Sequence, residues 1–402
     1  AQTVRLNGFW PQPEDRVVDS GVSWLPLYHD MGLIGCVFPA LEHPGTLTLI
    51  PPELFVARPA LWLRTISRYR ASISPAPNFA YGLCVDKVRD DQLEGVDLSC
   101  WRVALNGAEP VAPRVLRSFA DRFSSWGFRR EALTPVYGLS EAALAVTFSE
   151  LGSPFETRRF DRERLAHAGR AVQSADGVEM VALGRPLPGF ELRVVDRDGR
   201  SVDDGTVGPV HVRGPSLMEG YLDQPDATQA VLHDGWLDTG DLGFVYQGDL
   251  YLTGRAKDVL ILRGRNHSPH ELEDAVAVVD GVRAGCAVAA SWLPEGDVGE
   301  RLLLLVEAGR GVPQDEFAKI ASDSAAAVRA SAGLDPDRVE VLDPGTLPRT
   351  SSGKLRRHEA LQRWLEGELD PPASVTPLRL AGSMARSSLA LARLRREVDD
   401  RR

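Results

Sequence analysis

Hydrophobic and polar residues follow one another in two distinct patterns along the chain. Around residues 101–137, short apolar runs alternate with longer amphipathic stretches, which is the alternation expected of α/β layers. Residues 101–105 predict a buried strand, residues 110–126 a helix with one apolar face, and residues 134–137 a second strand. From residue 184 to 253 the runs are short and separated by Asp-Gly and Gly-Pro turns, which predicts an antiparallel sheet.

The pattern changes again after the segment Gly254-Arg255-Ala256-Lys257. Strand-like runs at residues 259–262 and 302–306 alternate with helical patterns at residues 271–279 and 316–331. This alternation predicts a second, smaller α/β unit.

We place the domain boundary at this segment. The first domain covers residues 1–254, the second covers residues 255–368, and residues 369–402 form a tail. The tail is Pro-rich and then Arg-rich and amphipathic. Such a composition is typical of a solvated helix or a disordered segment, with partner binding as the alternative.

Composition excludes several classes of protein. The net charge of −10 argues against a general nucleic-acid binder, which normally carries a basic excess. The four cysteines form no C-x-x-C pair, so we expect free thiols rather than a disulfide framework. We find no apolar run near the ~18 residues that span a bilayer. The polar start of the sequence lacks the apolar centre of a signal peptide, and we expect a cytoplasmic protein.

Three polar segments carry candidate chemistry. Residues 137–141 place an aromatic ring, a hydroxyl and a carboxylate at a strand end, where α/β proteins commonly bind ligands. Residues 236–241 end in Asp241, whose carboxylate suits two ribose hydroxyls. Residues 348–354 form a loop rich in hydroxyls that presents Lys354, a point charge suited to phosphate and carboxylate oxygens. Taken singly, each segment has a structural explanation at least as good as the functional one. The first fits a core tyrosine, the second a solvated turn and the third a surface lysine.

In this order, the segments resemble the core motifs of the adenylate-forming enzyme superfamily. The resemblance runs from residue 23 to residue 357. Residues 23–35, 77–81 and 106–111 look like the fatty acyl-AMP ligase form of their motifs, and so do residues 254–258 with their continuation at 264–269. Many relatives in the CoA-ligase branch carry Asp at the place of Lys257. Residues 155–181 are interpreted as the extra segment typical of the fatty acyl-AMP ligase branch.

The resemblance implies a fold and an activity. The fold is α/β, with a large multi-subdomain N-terminal region, which includes a small antiparallel β-subdomain, and a smaller mobile C-terminal α/β domain. The activity is the ATP- and Mg²⁺-dependent conversion of a fatty or related carboxylic acid to acyl-AMP, followed by transfer to the thiol of an acyl carrier protein. An acyl-CoA ligase is the alternative. Lipid metabolism and polyketide or other natural product biosynthesis are the implied settings.

The resemblance also implies residue roles on the nucleotide side. The residues implied to hold adenine are Tyr137, Asn106, Gly107, Ala108 and Glu109. Gly138 is implied to be a further cofactor-binding residue. Asp241 is implied to bind the ribose hydroxyls, and Arg255 the ribose or a phosphate. Ser140 is implied to lie near the phosphates and Glu141 to coordinate Mg²⁺.

Three further roles concern the acyl group and the second domain. His29 is implied to line the acyl pocket near the reacting carboxylate. Lys257 is implied to be the hinge of the second domain. Lys354 is implied to bridge the substrate carboxylate and the phosphate during adenylation, and swinging it away opens the site to the thiol.

Rival motifs are incomplete. Residues 351–354 match the S-x-x-K of β-lactamases but lack its companion motifs. A G-x-S-x-G hydrolase elbow is broken by Ala142, and a Walker A loop is excluded because Pro348 replaces its first glycine. His267 and His270 do not have the H-E-x-x-H spacing of a metal site, so we interpret them as helix-entry residues. A non-catalytic relative that binds nucleotide or acyl chains stays open as a second class.

The superfamily's phosphate-binding loop is not found upstream of the Trp24 motif. The first part of the large domain is therefore expected to be missing. The chain is then a fragment, one half of a split enzyme, or a degenerate relative. Without the loop, the β- and γ-phosphates lose backbone donors that stabilise them.

We predict that the purified 402-residue chain is weakly active or inactive in adenylation. A pyrophosphate-exchange assay with a fatty acid and ATP measures this directly. Robust turnover would refute the prediction.

Overall fold

A computed structural model describes residues 19–42, 45–262, 265–294, 300–350 and 354–371. Most of the predicted tail and residues 351–353 of the lysine loop lie outside the described residues. We refer to residues 19–254 as the large lobe and to residues 255–371 as the small lobe.

The large lobe is built on two sheets and a hairpin. Its strands are β1 (Gly21–Ser23), β2 (Leu47–Leu49), β3 (Ile73–Ala76), β4 (Val103–Asn106), β5 (Leu133–Leu139), β6 (Leu144–Phe148), β7 (Thr157–Phe160), β8 (Val178–Val181), β9 (Arg185–Pro186), β10 (Glu191–Val194), β11 (Gly208–Arg213), β12 (Leu232–His233), β13 (Trp236–Tyr246) and β14 (Asp249–Arg255). Its α-helices are α1 (Asp30–Gly32), α2 (Phe38–Glu42), α3 (Pro52–Ala57), α4 (Ala60–Tyr69), α5 (Asn78–Lys87), α6 (Pro113–Phe123), α7 (Arg162–Ala168) and α8 (Pro225–Val231).

The first sheet has seven strands in the order β2-β1-β3-β4-β5-β6-β9. Strands β2, β1, β3, β4 and β5 run parallel, whereas β6 and β9 are antiparallel to their neighbours. The carboxyl ends of the parallel strands therefore meet at one edge of the sheet. Ligands of open α/β sheets usually bind at this edge.

An aromatic cluster packs this sheet against its helices. Helix α6 begins at Pro113 and turns its buried residues Leu116, Phe119 and Phe123 toward the sheet. The ring of Phe119 lies 5.0 Å from that of Tyr81 and 6.0 Å from that of Trp101. Because large aromatic rings contribute much of the buried apolar area, this cluster fixes where the strand ends lie.

The second sheet is antiparallel, with the order β10-β11-β13-β12 and with β14 also paired to β13. It covers the segment for which the sequence predicted antiparallel structure. Strands β7 and β8 form a separate hairpin, and helix α7 lies between them in sequence. The mixed α/β architecture with a smaller antiparallel part is thus confirmed.

The small lobe has its own sheet and its own hydrophobic clusters. Its strands are β15 (Leu260–Leu262), β16 (Arg265–His267), β17 (Val282–Trp292), β18 (Arg301–Ala308) and β19 (Arg338–Leu342), and its helices are α9 (Pro269–Val276), α10 (Phe317–Ala332) and α11 (Arg357–Glu366). Strands β17 and β18 are antiparallel, and β18 and β19 are parallel. Two buried clusters cover the two faces of this sheet without drawing on residues of the large lobe.

The predicted elements agree with the structure to within a few residues. The strand predicted at residues 101–105 is β4, and the helix predicted at residues 110–126 is α6 followed by a short 3₁₀ turn, Ser124–Trp126. Across the described part of the chain, no helix combines the length and apolar character needed to cross a membrane.

Candidate active site

A cavity of about 2340 Å³ opens at the carboxyl ends of the parallel strands and extends between the two lobes. The sequence-predicted residues that line it are His29, Gly107, Ala108, Glu109, Tyr137, Gly138, Ser140, Glu141, Asp241, Arg255 and Lys354. Two others are absent from its lining. Asn106 is fully buried at the end of β4, and its side-chain amide donates to Asn78 Oδ1 (3.2 Å). Lys257 lies in the 3₁₀ turn Ala256–Asp258 between the lobes.

Tyr137 and Asp241 join the two sheets of the large lobe at the cavity. The Tyr137 hydroxyl donates to Asp241 Oδ2 at 2.6 Å, and Arg255 Nε lies 3.2 Å from Oδ1. Burial raises the pKa of Asp241, while the hydrogen bond from Tyr137 and the charge of Arg255 oppose that shift. Asp241 is a carboxylate held in place at a cavity wall, which is the arrangement suited to ribose hydroxyls.

The segment 138–142 is a tight turn between β5 and β6. A Cβ atom at Gly138 would lie 1.8 Å from the carbonyl oxygen of Leu144, so only glycine fits there. The turn continues through Ala143, which has a left-handed φ of 56°. It presents Ser140 and Glu141 to the cavity, and Glu141 Oε1 accepts a hydrogen bond from the Tyr221 hydroxyl at 2.8 Å.

Asp30 connects the segment of His29 to this turn. Its Oδ1 lies 2.6 Å from His29 Nδ1, and its Oδ2 accepts a hydrogen bond from the Ser140 hydroxyl. Although burial opposes ionisation, the hydrogen bonds from His29 and Ser140 lower the pKa of Asp30 to about 2. Asp30 is therefore negatively charged at neutral pH.

Lys354 reaches the same cavity from the small lobe. It lines the cavity together with Glu109, Asp30 and Asp241. Burial lowers the pKa of Lys354, and the nearby charges of these carboxylates oppose that shift. Glu109 also accepts a hydrogen bond from the backbone N–H of Phe79 at 2.5 Å, and burial raises its pKa. The small lobe thus brings an ammonium group to the place where the large lobe presents its carboxylates.

Arg357 fixes the base of the loop that carries Lys354. Its guanidinium donates to both oxygens of Glu273, at 2.7 and 2.8 Å, and to Asp258 Oδ2 at 2.7 Å. Glu273 Oε1 also accepts the backbone N–H of Ala289 at 3.0 Å. Asp258 directly follows Lys257, so Arg357 ties the lysine loop to the segment that joins the lobes.

The histidines near helix α9 do not form a metal site with their neighbours. His270 lies beside the Arg357 guanidinium, with its Nδ1 3.0 Å from Nη2. Glu271 forms an ion pair with Arg162 of α7 at 2.8 Å, a link between the lobes. Among the described residues, no group of three or more metal-ligating side chains converges.

Sequence reasoning missed Asp30, Tyr221 and Arg357. Asp30 is adjacent to the recognised His29, and Arg357 follows Lys354 by three residues, so both lay within recognised motifs. Tyr221 is 80 residues from its partner Glu141, and no sequence spacing links the two. Only the packing of residues 214–221 on the turn brings them together.

Comparison with known proteins identifies the family. The profile described as "AMP-binding enzyme" matches residues 2–222. The chain belongs to the AMP-binding enzyme family. Its recognition as an adenylate-forming enzyme is confirmed, and the similar proteins include members of the fatty acyl-AMP ligase branch.

One curated relative is a protein of Caulobacter vibrioides that is provisionally named an acyl-CoA synthetase. It is 39% identical to this chain, and the alignment covers 88% of this chain and 62% of the relative. The Mycobacterium tuberculosis long-chain-fatty-acid–AMP ligase FadD23 is 36% identical over 86% of this chain and 61% of its own length. A structure from a study of fatty acyl-adenylate ligases of E. coli and L. pneumophila has a TM-score of 0.83 and 35% identity, covering 91% of this chain and 64% of that one. The chain thus spans less than two thirds of the length of these family members.

The ion pair between Glu273 and Arg357, which fixes the loop that carries Lys354, can be tested by replacing Glu273. Burial opposes its ionisation, but the hydrogen bonds and charge of Arg357 lower its pKa to about 2. Because this value lies below the ordinary 4.5, the ionised side chain stabilises the fold above pH 4.5, and that stabilisation is lost as the pH falls toward 2. Glu273→Gln leaves Arg357 without its main partner, and we expect it to cost about 3 kcal/mol at pH 7.

Urea unfolding followed by circular dichroism at pH 7 and at pH 3 measures this difference, which we expect to shrink at the lower pH. The control is Asp323→Asn, which removes an exposed ion pair with Lys319. It should cost much less than Glu273→Gln, because exposed ion pairs contribute little to stability. Equal costs for the two variants at pH 7 would contradict the assignment.

Proposed function

We propose that this protein takes part in the ATP-dependent activation of a fatty or related carboxylic acid to an acyl-adenylate. One observation carries the proposal: Lys354 of the small lobe lies in the cavity that Tyr137, Glu141 and Asp241 line in the large lobe. Forming an acyl-adenylate gathers negative charge around the α-phosphate, and a desolvated cation held at that point stabilises it.

The nucleotide is assigned to the large-lobe side of the cavity. Tyr137 would hold adenine together with the turn of residues 106–109 at the end of β4. Gly138 would be a further nucleotide-binding residue. Asp241 would accept hydrogen bonds from the ribose, since its position is already fixed by Tyr137 and by the Arg255 guanidinium. Arg255 would contact the ribose or a phosphate. Apart from Asn106, which lies buried behind the turn, these residues line one cavity. That common lining and their placement at the strand ends support the assignment.

The acyl carboxylate is assigned to the region between His29 and Lys354. His29 would line the acyl pocket, and Lys354 would bridge the carboxylate and the α-phosphate. Ser140, whose hydroxyl donates to Asp30, would lie near the phosphates. Burial of Lys354 supports this role, because a desolvated ammonium interacts more strongly with incoming anions than an exposed one.

Mg²⁺ is assigned to Glu141. A protein commonly holds this ion through one or two carboxylates together with substrate phosphates and water, so a single carboxylate at the cavity suits it. Glu141 Oε2 has no hydrogen-bond donor among the residues that the structure describes. When bound, the ion would neutralise phosphate charge.

The division at residue 254 and the hinge at Lys257 are part of the proposal. Separate hydrophobic clusters in the two lobes support the division into residues 1–254 and 255–368. The tail is proposed as residues 369–402. Lys257 lies in the connecting 3₁₀ turn, next to the Asp258 that Arg357 holds. Rotation there would move Lys354 and its loop together, away from the cavity.

We further propose that the acyl group passes to the phosphopantetheine thiol of an acyl carrier protein, in lipid metabolism or natural product biosynthesis. The similarity to fatty acyl-AMP ligases supports this acceptor, whereas the provisional name of the C. vibrioides relative favours CoA as the second candidate. A cytoplasmic location fits the four free cysteines.

The proposal predicts that the chain binds a hydrolysis-resistant long-chain acyl-sulfamoyl adenosine. Asp241→Asn should weaken this binding at least tenfold, because the neutral amide is a poorer acceptor for ribose hydroxyls. Asp234→Asn, in an exposed turn of the large lobe, is the control. Calorimetric titration measures both. If the wild-type chain fails to bind the analogue, or binds it as well after the Asp241 change, the proposal fails.

The acceptor is tested by thioester yield. The same chain is supplied with synthetic acyl-AMP and either CoA or a holo acyl carrier protein. We expect acyl transfer to the carrier protein to exceed transfer to CoA at least tenfold. A larger yield with CoA would overturn the carrier-protein assignment and leave the adenylate assignment standing.

A further inference from the structure

A loop of the large lobe packs on the turn that presents Glu141. The backbone N–H of Met218 donates to the carbonyl oxygen of Glu141 at 2.7 Å, and the Ser216 hydroxyl donates to the carbonyl oxygen of Ala142 at 2.8 Å. A third contact reaches the Glu141 side chain: the Tyr221 hydroxyl donates to Oε1 at 2.8 Å. Backbone contacts thus fix the turn, and Tyr221 fixes the carboxylate.

Tyr221 is itself held by helix α8. Its backbone N–H donates to the Thr228 hydroxyl oxygen at 2.8 Å, and that hydroxyl donates to the carbonyl oxygen of Gln224. A Cβ atom at Gly220 would lie 2.9 Å from Thr228 Cγ2, so the chain passes this threonine at close range. Helix α8 therefore fixes the backbone of Tyr221, and the side chain extends from that backbone to Glu141.

We propose that Tyr221 is a positioning residue for the divalent cation, holding one oxygen of Glu141 so that the other stays available to the ion. The inference rests on the proposed function, in which Glu141 is the Mg²⁺ ligand. It assigns to Tyr221 a role that acts through Glu141 and needs no contact with nucleotide or acyl group.

The physical reason is the freedom of a glutamate side chain. An unrestrained carboxylate at the edge of a cavity samples several rotamers, and ordering it for the ion costs free energy at the moment of binding. A hydrogen bond that already fixes one oxygen removes part of this cost. Loss of such an outer partner typically weakens metal binding 10–100-fold.

Tyr221→Phe is the matching variant, because it removes the hydroxyl and keeps the ring that packs in the loop. Tyr69→Phe is its control, since Tyr69 is an exposed tyrosine at the end of α4. Glu141→Gln and the Tyr221→Phe/Glu141→Gln double variant complete a thermodynamic cycle. Electron paramagnetic resonance measures Mn²⁺ binding to each 402-residue chain in the presence of ATP, and thermal unfolding verifies that each variant folds.

We expect Tyr221→Phe to weaken Mn²⁺ binding at least tenfold and Tyr69→Phe to leave it unchanged. In the Glu141→Gln background, Tyr221→Phe should weaken Mn²⁺ binding less than twofold further, because the tyrosine acts through Glu141. A change that acted only by loosening the packing would weaken binding equally in both backgrounds. If Glu141→Gln weakens binding and Tyr221→Phe does not, the positioning role is overturned and the proposed function stands. If Glu141→Gln has no effect, the metal assignment is wrong and the inference falls with it.

Discussion

The attraction between one ammonium group of the small lobe and the carboxylates of the large lobe is the interaction on which the site depends. Lys354 faces Glu109, Asp30 and Asp241 across the cavity. The carboxylates are fixed before any ligand enters: the Tyr137 hydroxyl holds Asp241, and a backbone N–H holds Glu109. Lys354 and these carboxylates line one cavity between the lobes, so the small lobe supplies a cation to a site whose fixed charges on the large-lobe side are largely carboxylates.

Burial strengthens the electrostatic interaction between these groups and makes it sensitive to ligands. Desolvation lowers the pKa of Lys354 and raises the pKa values of Glu109 and Asp241, so each charge is maintained by its neighbours. In such surroundings charges interact more strongly than in water. In the proposed function, an incoming phosphate or carboxylate would meet a lysine that is already partly desolvated and held in place, so less reorganisation would accompany the chemical step.

The sequence predicts those parts of the site that lie on continuous segments. The turn 138–142 and the carboxylate of Asp241 follow strand patterns, and the cavity brings them together as the motif order implied. The link between Arg357 and Glu273 joins residues 84 positions apart, and periodicity carries no information on such pairing. Strand β17 (Val282–Trp292) was also missed, because its alanines and glycine weaken the apolar run that marks a buried strand.

The position of Lys354 is tested most directly by chemical labelling. The chain has four lysines: Lys87, Lys257, Lys319 and Lys354. Acetic anhydride modifies neutral amines, and mass spectrometry measures the rate at each residue with and without the acyl-sulfamoyl adenosine. A lysine held in the shared cavity predicts at least tenfold protection of Lys354 by the analogue and no change at the exposed Lys319. Equal labelling of Lys354 in both conditions would contradict the account.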